Sequence, residues 1–120
     1  MKTSYIKILF YYEIPTLIFC QDEVQNNYFF ALLDEESFEY IGKKASIENS
    51  LLFLEGNIDL KSIYEDKDLN FYLGKYKKNE FHFDLYQGEF KEDFLPSENL
   101  KLINPEIGLC KFLKEQIYAK

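Results

Sequence analysis

His82 and Asp84 are the residues whose types and spacing come closest to a chemical site. His82 is the only histidine in the chain, and histidine is the side chain whose ordinary pKa lies nearest neutrality. Residues two apart on a strand share a face, so Asp84 could orient the imidazole or form half of a metal site with it. Two ligands do not complete such a site, so we expect no bound metal or other cofactor.

The carboxylate clusters lack the arrangement that acid catalysis or calcium binding requires. They are Asp34-Glu35-Glu36, Asp66-Asp68 and Glu92-Asp93. Glycoside hydrolysis needs two acids across a deep sugar cleft, and a calcium loop needs a twelve-residue ligand pattern that is missing here. The serines lie outside any G-x-S-x-G elbow, and the chain has no glycine-rich phosphate loop. We therefore predict that the protein is not an enzyme.

Length and charge limit the class of partner. The 120 residues suit one domain spanning 1–120, with 14 lysines, no arginine and a net charge of −7. A field of this sign repels nucleic acid, and the guanidinium fork that commonly recognises phosphate is missing, so we expect no direct nucleic-acid binding. The charge either attracts a cationic protein or simply keeps a chain with 12 Phe and 10 Tyr in solution.

Cys20 and Cys110 are far apart in the chain and form no CxxC pair, so the sequence predicts two buried thiols and no zinc site. Lys7 interrupts the short apolar run near the start, which argues against a signal peptide. No run approaches 18 apolar residues, so we expect no membrane partner and a cytoplasmic location.

Residues 10–41 predict three consecutive antiparallel strands around which the rest of the chain is organised. Pro15 precedes the apolar run 17–20, a polar loop follows, and residues 28–33 return as the second strand. Both runs are apolar almost throughout, which predicts that both faces are covered or that one lies in an interface. The third strand alternates and ends in Lys43 and Lys44, which is typical of a strand near the edge of a sheet.

The remaining patterns complete an α+β fold. Residues 6–12 predict a first strand, 70–76 and 80–86 a second hairpin, and 100–103 a possible last strand. Ser46 and Gly56 are typical of the two ends of a helix, and Asp59 of the start of a shorter one. Asn104 and Pro105 predict the start of a terminal helix. We expect an antiparallel sheet of five to six strands packed against a helix near 46–55 and a C-terminal helix near 105–118.

Several of these structural motifs together resemble an uncharacterised family of small acidic bacterial proteins. The resemblance is carried by the segments 12–19 (YEIPTLIF), 28–34 (YFFALLD) and 55–60 (EGNIDL), with Ser46 before the helix and Leu95-Pro96 followed by Leu100. It covers roughly residues 5–103 and leaves the terminal helix outside. The resemblance implies a bacterial or phage origin and a cytoplasmic location, and it assigns no activity and no functional residue.

Aromatic residues in excess of a small core, beside acidic residues, are typical of a protein-binding surface. The leading hypothesis is therefore a non-catalytic interaction module that docks to a larger protein, of the antitoxin, immunity or defence-system type; a homo-oligomer is also possible. One alternative is a small-molecule binder or minor enzyme with a pocket around His82 and Asp84, between the sheet and the Ser46 helix. Another is an acidic mimic of nucleic acid. The predicted partner-binding residues are Asp34, Glu35, Glu36, Glu39, Asp66, Asp68 and Tyr72.

Overall fold

A six-stranded antiparallel sheet and three helices make up the computed structural model, which describes residues 2–66, 70–78, 80–88, 92, 95–96 and 100–118. This confirms the predicted α+β class. The strands are β1 (Thr3–Tyr12), β2 (Ile14–Asp22), β3 (Asn27–Asp34), β4 (Glu39–Ala45), β5 (Tyr72–Lys77) and β6 (Glu80–Leu85). The helices are α1 (Ile47–Leu54), α2 (Leu60–Tyr64) and α3 (Ile107–Tyr118).

Each strand pairs with its neighbour in the chain, so the sheet is a simple meander from β1 to β6. The sheet curls until its two edge strands meet at a single bridge between Lys2 and His82. Beside this bridge, the Thr3 hydroxyl donates a hydrogen bond to the Phe81 carbonyl at 3.2 Å. The curl separates an inner face from an outer face, and each face has its own cluster of buried side chains.

The inner face is filled by aromatic rings. Six strands enclose little space, and two glycines provide room for the rings. A Cβ on Gly42 would lie 2.3 Å from the Phe30 ring, and one on Gly74 would lie 2.2 Å from the Phe81 ring. The two rings pack against each other edge to face with centroids 4.8 Å apart. The interior is thus a packed core, and its buried members are Ile18, Cys20, Tyr28, Phe30, Tyr40, Tyr72, Phe81 and Phe83.

The outer face is covered by the three helices, which confirms that both faces of the central strands are buried. As predicted, Ser46 caps α1 by accepting a hydrogen bond from the Asn49 amide at 3.0 Å, and Asp59 caps α2. Tyr64 at the end of α2 reaches between β3 and β4. Its hydroxyl donates to the Ile41 carbonyl at 2.6 Å and accepts from the Ala31 amide at 3.1 Å. The hydroxyl thereby joins α2 to the backbone of both strands.

The prediction that β4 lies near an edge was wrong, because β4 pairs with β3 on one side and β5 on the other. Lys43 is only 1% exposed, so it does not protect an edge. Its ammonium lies 3.5 Å from the Asp66 carbonyl oxygen and 4.6 Å above the centre of the Phe71 ring. The lysine is thus accommodated in the core by a carbonyl and an aromatic face.

Two predictions about the end of the chain need correction. Residues 100–103 form no strand; the Leu100 carbonyl instead accepts a hydrogen bond from the Leu60 amide at 2.9 Å, at the start of α2. Helix α3 begins at Ile107, two residues later than predicted, since the Glu106 amide donates to the Leu54 carbonyl. Residue Leu100 is thus hydrogen-bonded to α2, and Glu106 is hydrogen-bonded to α1. Within the described part of the chain, no helix has the length and apolar character needed to cross a membrane.

Candidate functional site

The most exposed of the predicted site residues lie at the turn between β3 and β4. We call residues 33–38 the hairpin tip. Asp34 organises it, since one carboxylate oxygen accepts from the Glu36 amide at 3.1 Å and the other from the Ser37 hydroxyl at 2.9 Å. Glu35 and Glu36 are exposed and form no ion pair with any residue that the structure describes. The tip therefore presents two carboxylates on a locally hydrogen-bonded turn.

Two large apolar side chains accompany these acids. Leu33 and Phe38 are each 39% exposed, at either side of the turn. Phe38 has a φ of +54°, a conformation that is uncommon for residues with a side chain, and its carbonyl accepts from the Tyr76 amide at 3.2 Å. Glu13, Gln25 and Lys78 have similar positive φ values at other hairpin turns, so this conformation belongs to the geometry of the turn. The hairpin tip thus combines exposed apolar surface with negative charge.

The other predicted partner-binding residues do not join this surface. Glu39 is half-buried and lies opposite Lys75 in the β4–β5 pair, so a positive charge stands beside it. Asp66 lies at the far end of β4, where it lines a polar groove with Lys44 and Ser46. Seven residues of β4 span about 20 Å. The predicted acidic residues therefore occupy two separate ends of the sheet.

Tyr72 and Asp68 are the remaining two residues that the sequence predicted for the partner-binding surface. Tyr72 belongs to the inner face, is 9% exposed and packs edge to face with Tyr28 at a centroid distance of 5.1 Å. Its expected place on a partner-binding surface was therefore wrong: the curl of the sheet turns its ring inward. Asp68 lies outside the described residues.

His82 and Asp84 share the exposed face of β6, as the two-residue period predicts. The polar partner of the imidazole is Glu80, whose Oε2 lies 3.3 Å from His82 Nε2. A shallow groove of about 300 Å³ runs past both residues and is also lined by Leu73, Lys75 and Tyr86. Ser46 lines a different groove, so the pocket expected between His82 and the Ser46 helix is not formed by the residues described. Nor does the described chain group three potential metal ligands.

The buried groups with shifted pKa values are held in unreactive forms. Burial, with a smaller effect of Asp22, raises the pKa of the Cys20 thiol, and burial likewise raises that of Cys110. Both thiols are free and protonated at neutral pH, which makes them poor nucleophiles. Burial raises the pKa of Tyr40 to about 12, and its hydroxyl donates to the Pro15 carbonyl at 2.7 Å. Cys20, Cys110 and Tyr40 are therefore packed members of the two core clusters.

A polar network at the loop between β2 and β3 was not predicted from the sequence. Asp22 is 7% exposed and accepts from the Val24 and Asn26 amides, the Asn26 side chain and the Tyr28 hydroxyl. Burial alone would raise the pKa of Asp22, but these hydrogen bonds outweigh it and hold the pKa below its ordinary value. One feature of the sequence could have indicated this network: Asp22 is the last residue of an apolar strand and stands four residues before Asn26, which donates to it. The network orders the loop and leaves no reactive group free.

A scan against protein-family models found no match for this chain. Searches of curated proteins and of solved structures likewise found no similar protein. The resemblance to a family of small bacterial proteins stays a prediction.

Proposed function

We propose that this protein is a non-catalytic interaction module that docks to a larger protein through the hairpin tip. The observation that carries the proposal is the exposure of Leu33 and Phe38, 39% each, beside the exposed carboxylates of Glu35 and Glu36. An exposed aromatic side chain ringed by charge is the usual composition of a small protein-binding surface. In this proposal Phe38 enters an apolar pocket of the partner, and the two carboxylates meet lysine or arginine side chains at its rim.

The charge of the whole chain supports a cationic partner. A net charge of −7 attracts a positively charged surface over a distance of about a Debye length and accelerates encounter. The lysines of β5 lie on one side of the tip, because Lys75 faces Glu39 across the strand pair. We therefore place the cationic segment of the partner over the β3 side of the tip. Such docking would act by occlusion or scaffolding, as in an antitoxin, an immunity protein or a subunit of a bacterial or phage defence system.

The two alternative functions have less support. A nucleic-acid mimic needs carboxylates at phosphate spacing along one surface, whereas the described acids of the hairpin tip and Asp66 lie at opposite ends of β4. A small-molecule site needs a deep pocket with converging polar groups, whereas His82 and Asp84 border a shallow groove and aromatic rings fill the sheet interior.

The proposal can be tested by photo-crosslinking. A photoreactive phenylalanine at position 38 should capture a defined protein in the native cell, and one at position 107, on α3, should not. The double variant Glu35→Lys/Glu36→Lys should lower capture by about tenfold at low salt, because it reverses the charge at the rim. The matched control is the double variant Glu48→Lys/Glu115→Lys, which makes the same change in net charge at exposed positions of α1 and α3 and should leave capture unchanged. Equal capture by the double variant and the control, or no protein captured at position 38, would contradict the proposal.

A further inference from the structure

The side-chain nitrogen of Asn27 is a hydrogen-bond donor that the protein itself leaves unused. Asn27 begins β3 and is 5% exposed, and its Oδ1 accepts from Gln21 Nε2 at 2.8 Å. Its Nδ2 has no acceptor among the residues that the structure describes. None of the described side chains has a polar atom that is both fully enclosed and unpartnered, so Nδ2 opens onto the grooves that Asn27 lines. A donor in this position can bind an acceptor atom of a ligand.

Two adjoining grooves meet at Asn27. The wider groove, of about 390 Å³, is also lined by Lys44 and Asp66. The narrower groove, of about 270 Å³, is lined by residues of α3 that include Ile117. Asn27 and Ile47 line both grooves, and we call the place where they do so the Asn27 junction.

The Asn27 junction is also the beginning of α1. Ile47 is the first residue of this helix, and its amide has no acceptor in the described chain. Such amides give the N-terminus of a helix a partial positive charge. Among the described acids, Glu48 of the first turn lines neither groove and Asp66 lines only the wider one. The narrower groove therefore offers two unused donors in a positive potential, which suits a carboxylate.

The rest of the narrower groove is mainly apolar and lies against the last turn of α3. Ile47 is 37% exposed and Ile117 45%, whereas Leu113 is buried. Gln116 and Ile117 belong to the last turn of α3, where the carbonyls of a helix have no intrahelical donor. An occupant that matches these features combines a carboxylate, an aliphatic side chain and an N–H group. The C-terminal residue of a peptide has this combination.

We propose that the Asn27 junction binds the C-terminal residue of a peptide, with an aliphatic side chain at that residue. The carboxylate accepts from Asn27 Nδ2 and from the Ile47 amide, in the way that protein amides capture terminal carboxylates. The aliphatic side chain packs against Ile47 and Ile117, and the N–H group donates to a carbonyl in the last turn of α3. The Asn27 junction and the hairpin tip lie at opposite ends of β3, so this site is independent of the proposed docking surface.

The test is an NMR titration of the isotope-labelled chain with N-acetyl-leucine. The signals of the Asn27 side-chain amide and the Ile47 backbone amide should move saturably, with a Kd between about 0.1 and 2 mM for a ligand of this size in an open groove. N-acetyl-leucinamide, in which a neutral amide replaces the carboxylate, should bind at least about tenfold more weakly. Isocaproate, the carbon chain of leucine without its nitrogen, should bind about threefold to tenfold more weakly because it lacks the N–H group.

Asn27→Asp removes the unused donor and keeps the rest of the amide network. The new carboxylate can still accept from Gln21 Nε2, but an oxygen replaces Nδ2, so the affinity for N-acetyl-leucine should fall at least about tenfold. Asn49→Asp is the matched control, because it makes the same change of amide to acid in α1 at a residue that lines neither groove. This control should change the affinity by less than about twofold. A dispersed NMR spectrum shows that each variant is folded.

Four results would overturn the proposal. One is the absence of saturable shifts at about 10 mM N-acetyl-leucine. The second is equal binding of N-acetyl-leucine and N-acetyl-leucinamide by the wild-type chain, a comparison that depends on no variant. The third is equal affinity for isocaproate, because the ligand would then be a free aliphatic acid and not the end of a peptide. The fourth is an equal loss of affinity in Asn27→Asp and Asn49→Asp, which would reflect total charge alone.

Discussion

The side-chain amides of Gln21 and Gln116 bond to each other in both directions, which fixes α3 against β2. Gln21 Nε2 lies 2.8 Å from Gln116 Oε1, and Gln116 Nε2 lies 3.1 Å from Gln21 Oε1. Gln21 is 1% exposed, and its Nε2 also donates to the side-chain oxygen Oδ1 of Asn27 at 2.8 Å. Since 95 residues separate the two glutamines, this pair is one of the long-range contacts that position the terminal helix.

Gln116→Ala should lower the free energy of unfolding by about 1–2 kcal/mol, because it leaves the buried Gln21 amide oxygen without its donor. Urea denaturation followed by circular dichroism measures this change. Glu115→Ala is the control, since Glu115 is exposed on the same helix and should change stability by no more than about 0.5 kcal/mol. Equal stability of both variants would mean that water replaces the glutamine pair without cost.

Gly42→Ala and Gly108→Ala should change stability in opposite directions. At Gly42 the added methyl group would stand 2.3 Å from the Phe30 ring, which Phe81 and Phe83 hold in place, so we expect a loss of about 2–3 kcal/mol. At Gly108, inside α3, no atom lies within 4 Å of the added group, so helix propensity should increase stability by up to about 1 kcal/mol.

The comparison is made by thermal and urea unfolding of the two variants beside the wild-type chain. The substitution is chemically identical, so the difference in sign isolates the effect of packing. A neutral Gly42→Ala variant would show that the aromatic interior can shift and would contradict a tightly packed inner face.

Asp22 should make stability fall in acid. Burial raises the pKa of Asp22, but the hydrogen bonds that the carboxylate accepts lower it by more than burial raises it. The pKa is therefore lower in the folded chain than in the unfolded chain. Its contribution is therefore complete above the ordinary aspartate value of about 4 and is lost as the pH falls through the lower, folded value. The difference in unfolding free energy between wild type and Asp22→Asn should be largest near neutrality and should shrink below about pH 4.

Urea titrations at several pH values measure this difference, with Glu23→Gln as the matched exposed control. A gap between wild type and Asp22→Asn that stays constant from neutral to acidic pH would show that the charge of Asp22 does not stabilise the loop.

Local patterns in the sequence determined the elements and many of their boundaries. Ser46 and Asp59 cap helices because each side chain reaches an amide three residues on, a contact that needs no other part of the chain. The alternation around Phe81 and Phe83 identified which side of β6 is buried, since side chains on a strand alternate by geometry. The low exposure of Cys20 and Cys110 likewise follows from their apolar surroundings.

Only the tertiary structure decided how the candidate surfaces are composed. Lys43 looked like an edge residue and Tyr72 like a surface residue, yet the pairing of β4 with β5 and the curl of the sheet bury both. The same long-range pairing separates Asp66 from the hairpin tip and leaves the second half of β1 open. Strand order and stagger depend on contacts between residues distant in the chain, which a local pattern does not encode.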